Sequence, residues 1–169
     1  YDTSMLNPAP NFVGLEQYWS VMQDGAFRQI LFNSVVWTAL IVLFQALLGL
    51  ATAVLLNQNA PGQGVLRALI LLPWVLPGVV NAVLWRFMYD PQLGLVNSIL
   101  ISLGLTTQKI PWLAQGTTAL LALIIAAIWK GFPFSTVMYL AALQTVDREQ
   151  VEAAQMDGAN PWQRFRFVT

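Results

Sequence analysis

From Gln29 to Leu66 the chain carries no charge, and Asn33 to Leu56 is apolar apart from a few uncharged polar positions. At about 1.5 Å rise per residue, a helix over that run crosses a hydrocarbon core of about 30 Å. A buried helix of a large soluble protein would be shorter and would carry a polar stripe. The pattern therefore predicts a membrane span, A, over 30–57. A second charge-free run, Ala68 to Trp85, lies between Arg67 and Arg86 and contains Pro73 and Pro77. Each proline removes a helix donor and crowds the preceding turn, so span B, 67–89, is expected to be kinked. A third run, from about Thr117 to Leu143, predicts span C over 117–146. Lys130, Gly131 and Pro133 interrupt it, which leaves one broken helix or two shorter pieces.

The segment 95–105 between spans B and C is too short to cross. Leu95, Val96, Ile99, Leu100 and Leu103 fall on one helical face, which predicts an interfacial amphipathic helix. Asp90, Pro91 and Gly94 mark the turn into it, and Gly104 through Pro111 the exit. Near the start, Asn7, Pro8, Pro10, Asn11 and Gly14 read as loop, followed by a surface helix from Leu15 to about Met22. The fold class expected is all-α: a polytopic membrane helix bundle of about three spans, an interfacial helix and a terminal helix pair.

Composition agrees: 57% of the 169 residues are apolar and 9% charged, against roughly 25% charged in soluble domains. Eight Lys and Arg balance eight Asp and Glu, so nucleic acid has no electrostatic footprint to bind. With no Cys and no His, thiol nucleophiles, disulfides, the usual zinc sites and the commonest general base are all absent. No paired carboxylates lie within the spans, so an intramembrane enzyme has nothing to work with. No metal site is expected. The chain opens on Tyr1 and stops at Thr169 within an apolar-basic run, so both ends are expected to be cut.

The segment 147–169 is dense in helix formers and charge directly after span C. Glu149 to Met156 favours a helix, Gly158 can close it in the left-handed conformation, Asn160 is a candidate N-cap, and Pro161 suits the first position of a second helix. Ala153 and Ala154 form a small-residue surface that another protein could approach closely, and Glu152 and Asp157 offer acidic contacts.

Glu152-Ala153-Ala154, three residues, Gly158, then nine residues to Val168 resembles the EAA loop of permease subunits of binding-protein-dependent ATP-binding-cassette (ABC) importers. LAALQTV before the motif and DGANPWQRF within it are similar to the maltose-permease-like branch, which carries sugars, oligosaccharides and glycerol-3-phosphate. GLEQYW, LGLATAVLLN and LRALILLPWVLPGVVNAVLWRFMYD extend the likeness over nearly the whole chain. Asp147 departs from it, since many relatives have proline there. The resemblance implies a transporter subunit in a bacterial or archaeal cell membrane, without enzymatic activity of its own. It implies an ABC ATPase dimer that uses ATP and Mg, a second related permease, an extracytoplasmic solute-binding protein, membrane lipid and a sugar-type cargo as partners. By the same likeness Glu152 makes a polar or ionic contact with the ATPase, Ala153 and Ala154 pack closely, Asp157 contributes an acidic contact, and Gly158 makes the bend.

Three crossings put 1–29 on the extracytoplasmic side and 147–169 in the cytoplasm; Arg67, Arg148, Arg164 and Arg166 against Arg28, Arg86 and Lys109 permit that orientation without selecting it. For the cargo route the candidates are Lys130, the one charged residue in the interior of a span, with Trp129, then Asn81 and Trp85. Lys130 could equally pair with a carbonyl freed by Pro133, or snorkel. Gln45 reads as a helix bridge, and Trp37, Trp74, Trp85, Tyr89 and Trp112 suit an aromatic interface belt. The rival function is a secondary carrier or channel without an ATPase, which the break at Lys130 and Pro133 would suit.

Overall fold

A computed structural model describes residues 2–4, 7–58 and 62–167, so Val168, the last position of the EAA pattern, lies outside the described residues. The chain divides into two compact units, Tyr1–Ala39 and Leu40–Thr169. In the first, strands β1 (Asp2–Ser4) and β2 (Asn7–Asn11) pair antiparallel, with Asp2 opposite Asn11 and Ser4 opposite Asn7. The loop expected at Asn7 to Asn11 is thus a short ladder. Asn7 and Ala9 each precede a proline, which holds them extended and ready to pair. Helix α1 (Glu16–Gln23) lies where the surface helix was predicted. Asp24 then starts α2 (Gly25–Leu56) by accepting the Ala26 N–H on its side chain at 2.9 Å.

The second unit holds the remainder of α2 and then α3 (Gln63–Val75), α4 (Gly78–Met88), α5 (Leu95–Ser102), α6 (Gly116–Gln144), α7 (Arg148–Met156) and α8 (Pro161–Phe167). The helical class holds, with the ladder as its one addition among the described residues. Helices α2 and α6 are long and apolar enough to cross a membrane, and α6 runs unbroken through Lys130, Gly131 and Pro133.

The two long helices meet along a seam of small and polar residues. Gln45 Nε2 donates to the Ala127 carbonyl at 2.9 Å, and the hydroxyls of Thr52 and Thr136 lie 2.6 Å apart. At Gly49 an added Cβ would sit 2.5 Å from Ser135 Cβ and 3.0 Å from the Ser135 carbonyl carbon; at Gly131 one would strike the Gln45 amide. Gln45, Gly49 and Ala53 follow one another at four-residue steps, as do Ala127, Gly131 and Ser135. This spacing lets helix backbones approach where hydrocarbon supplies no hydrophobic drive to bring them together. Residue numbers rise together across the seam, so α2 and α6 are parallel.

Parallel neighbours require the chain between them to come back. Helices α3 and α4 do this as a pair bent by 97°. Trp74 meets Phe134, Lys130 reaches Leu76, Trp85 meets Trp129, and Tyr89 reaches Ala122. The numbers now fall along α6 as they rise along the pair, so α3–α4 runs antiparallel to α6. Only Pro77 breaks the path; Pro73 stays inside α3 and is buried. The residue before Pro77, Leu76, is extended (φ −61°, ψ 132°), the conformation imposed ahead of proline, and that ends α3. The span expected to be kinked by Pro73 and Pro77 thus breaks at Pro77 while α3 continues through Pro73, and the pair starts at Gln63, before the predicted Arg67.

Past α4, Asp90 Oδ1 accepts the Gln92 and Leu93 N–H groups at 2.8 and 2.9 Å. Helix α5 buries a polar residue, Asn97, which is only 2% exposed. Its Nδ2 donates to the Ile110 carbonyl at 3.0 Å and its Oδ1 accepts Trp112 Nε1 at 3.0 Å. The single apolar face expected of α5 is divided: Val96 and Leu100 are half-buried, while Leu95, Ile99 and Leu103 are exposed. Trp85, Tyr89 and Trp112 are likewise core rather than belt residues, since ring centroids 5.1 and 5.7 Å apart join them in series. Tyr89 Oη donates to the Ala122 carbonyl at 3.0 Å.

Candidate functional site

The bend between α7 and α8 is closed by backbone chemistry that the residue order dictates. Gly158 has φ +81°, where a Cβ would strain the chain. Its N–H donates to the Gln155 carbonyl at 3.1 Å and the Ala159 N–H to the Ala154 carbonyl at 3.0 Å. These two bonds satisfy carbonyls that the end of α7 would otherwise leave bare. The next helix starts at once. Asn160 Oδ1 accepts the Gln163 N–H at 2.8 Å while Gln163 Oε1 accepts the Asn160 N–H at 2.9 Å, a reciprocal cap. Arg164 Nη1 then reaches back to Gln155 Oε1 at 2.9 Å, bracing α8 against α7.

The bent pair is held by its own bonds, and its side chains face outward. Glu152, Ala153, Asp157 and Gly158 are exposed, and Ala154 is half-buried. Met156 is 88% and Trp162 67% exposed. Asp147 precedes α7 with φ −65°, the value a proline ring fixes, so the departure at that position changes no backbone geometry. The sequence reading had Gly158, Asn160 and Pro161 but missed Gln163 and the Gln155–Arg164 brace. The cap could have been found, since a polar residue three places after an N-cap is its usual partner.

The cargo-route candidates are not all brought together. Lys130 Nζ donates to the Leu76 carbonyl at 2.7 Å, so it braces the break before Pro77 and not a carbonyl freed by Pro133. Trp129 sets its edge against Trp85 at 5.7 Å. Both tryptophans line an apolar groove of about 420 Å3 with Phe44, Leu48, Ile128 and Phe132. Asn81 lies one turn before Trp85; its Oδ1 and the Trp85 Nε1 are buried without a hydrogen-bond partner. Among the described residues no His, Cys, Asp and Glu cluster could hold a metal.

Known proteins of this construction exist. The family model described as "binding-protein-dependent transport system inner membrane component" matches residues 45–169. The chain is 38% identical over 162 residues to the trehalose/maltose transport system permease protein MalF of Thermococcus litoralis, covering 96% of this chain and 54% of that protein. It is 36% identical over 167 residues to the inner membrane ABC transporter permease protein YcjO of Escherichia coli, covering 97% and 57%. A bacterial ABC transporter that imports the acidic polysaccharide alginate superposes with a TM-score of 0.79 at 25% identity, over 93% of this chain and 55% of the other. The chain thus spans about half the length of the relatives it matches. With a family match that takes in the α2–α6 seam and the bent pair together, the chain belongs to the inner membrane components of binding-protein-dependent transport systems.

Proposed function

We propose that this chain forms part of the translocation pathway for a carbohydrate cargo, a sugar, oligosaccharide or glycerol-3-phosphate. On this reading α7–α8 transmits to that pathway the work of a separate ATP-hydrolysing subunit, which uses ATP and Mg. The observation that carries the reading is the self-braced bend, with Glu152, Ala153 and Asp157 presented outward, at the end of a spanning helix. ATP-driven closure of an ABC ATPase dimer would move the pair as one body, and α6, with α2 locked to it, would tilt in response. The subunit would work with a second, related permease and an extracytoplasmic solute-binding protein. A relative in this fold class has been solved with an alginate pentasaccharide-bound periplasmic protein, which supports that assembly.

The parallel seam supports a topology in which α2 and α6 cross in the same direction and the bent α3–α4 pair supplies the return crossing. With α7–α8 in the cytoplasm, 1–29 and the 89–115 connection are extracytoplasmic, and Leu95 and Ile99 of α5, with Leu103 just past its end, meet lipid. For the route itself we favour Trp129, Asn81 and Trp85: two adjacent rings, with one unpaired acceptor and one unpaired donor buried beside them that movement of the helices would have to uncover for a hydroxyl. Lys130 has its partner already and positions the bend. The break that would suit a carrier without an ATPase lies in α3–α4 and not at Lys130 and Pro133, since α6 is continuous, so it is the outward bend at α7–α8 that favours the importer reading.

The test is cargo-stimulated ATP hydrolysis by the assembled, full-length transporter in proteoliposomes. Gly158→Val should cost about 1–2 kcal/mol locally, since a branched residue resists positive φ, and should abolish stimulation while leaving membrane insertion intact. Glu152→Lys should do the same by reversing the contact charge. Stimulation at the wild-type level in both variants overturns the coupling role.

A further inference from the structure

At the end of α6 away from α7–α8, a cleft of about 250 Å3 opens between the turn after α4 and the segment before α6. Tyr89, Pro91, Pro111 and Leu113 form its walls, and Arg86 and Asp90 supply its charge. Most polar groups around it are already engaged. Asp90 Oδ1 holds two backbone N–H groups, and Tyr89 Oη holds the Ala122 carbonyl. Lys109 Nζ is bonded to the carbonyl and side-chain oxygens of Gln92 at 3.1 and 3.2 Å. The Arg86 side chain is exposed, and no carboxylate among the described residues lies within ion-pair distance of it.

The cleft is also held open. Buried Asn97 bonds the Pro91 carbonyl at 3.4 Å on one wall, and the Ile110 carbonyl and Trp112 indole on either side of Pro111 on the other. A socket fixed in advance loses little entropy when filled, which favours binding. Its volume falls below the roughly 300–1,000 Å3 of pockets that enclose drug-sized ligands, so an oligosaccharide does not fit within it. One protein side chain does. An exposed guanidinium without a partner in the lining of such a socket can grip a carboxylate through two parallel hydrogen bonds.

Helix α6 has 29 residues, about 43 Å at 1.5 Å per residue, so it places the cleft on the face of the membrane opposite the bent pair. We propose that the Arg86 cleft is a docking socket for a single Asp or Glu side chain of the extracytoplasmic solute-binding protein. The proposal rests on the importer reading above.

The experiment titrates the transporter's purified solute-binding protein against the full-length complex in proteoliposomes and reads ATP hydrolysis. Arg86→Glu should raise the half-saturating binding-protein concentration tenfold or more, and Arg86→Gln about threefold, with the rate at saturation unchanged. The wild-type value should rise with ionic strength more steeply than that of Arg86→Gln. Equal half-saturation in wild type and both variants overturns the socket. So does a shift in cargo dependence at saturating binding protein, which would make Arg86 a cargo contact. A wild-type complex that no binding protein stimulates overturns the importer reading first and the socket with it, whereas stimulation indifferent to Arg86 overturns the socket alone.

Discussion

Lys130 shows how a costly residue can be structural. A lysine at the centre of a span costs about 2.5–3.5 kcal/mol on insertion scales, and here it meets the carbonyl that the break before Pro77 exposes. Lys130→Met should lower the maximum uptake rate by loosening the bend, with the cargo concentration at half-saturation unchanged; a changed half-saturation would return Lys130 to the route. Asp90 is a second case. The Leu93 and Gln92 N–H groups, with a smaller contribution from Lys109, hold its carboxyl below the usual carboxylate range. Because the folded state binds the proton less readily than the unfolded one, the stabilisation is complete above the ordinary value of about 3.9 and is lost as pH falls through the lower folded value. Amide exchange at Gln92 and Leu93, corrected for intrinsic rates, should speed up on acidification in wild type. In Asp90→Asn it should be fast at every pH.

At the scale of elements, the seam between α2 and α6 makes the sharpest demand. Gly49→Leu would drive a side chain into the Ser135 backbone, and overpacking of this kind costs typically 1–3 kcal/mol or more. We expect a lower melting temperature of the purified subunit and, for Gly49→Ala, a smaller drop in the same direction; an unchanged melting temperature in Gly49→Leu would mean that the seam is loose. Hydrophobic runs and turn residues were enough to locate α1, α2, α6, α7 and α8 in the sequence, because the two long helices are marked by uninterrupted apolar length and the three short ones by turn or charged residues beside them. What stayed hidden depends on distant partners. Nothing local marks Pro77 rather than Pro73 as the break, Asn97 as the buried centre of a loop, or Tyr89 as core, since each is decided by what α6 presents to it.

For the whole molecule, the direction of α6 ties both faces together. A thiol probe that cannot cross the membrane should label Leu113→Cys from outside in intact cells and reach Glu152→Cys only after permeabilisation. Labelling of both from outside would refute the topology. The candidate site was legible to different depths for the same reason. The bend is written in adjacent residues, whereas the cargo route proposed above would join α4 to α6, which no spacing in the sequence connects.

The like-directed packing of α2 and α6 also bears on how the protein is made. Gln45 and its acceptor Ala127 are 82 residues apart, so at roughly 5–20 residues per second α6 leaves the ribosome about 4–16 s after its neighbour. Throughout that delay the nascent α2 sits in lipid with an amide that has found no mate. Synthesis that stalls within the returning pair would prolong this exposure, and such chains should be the ones that membrane proteases remove first.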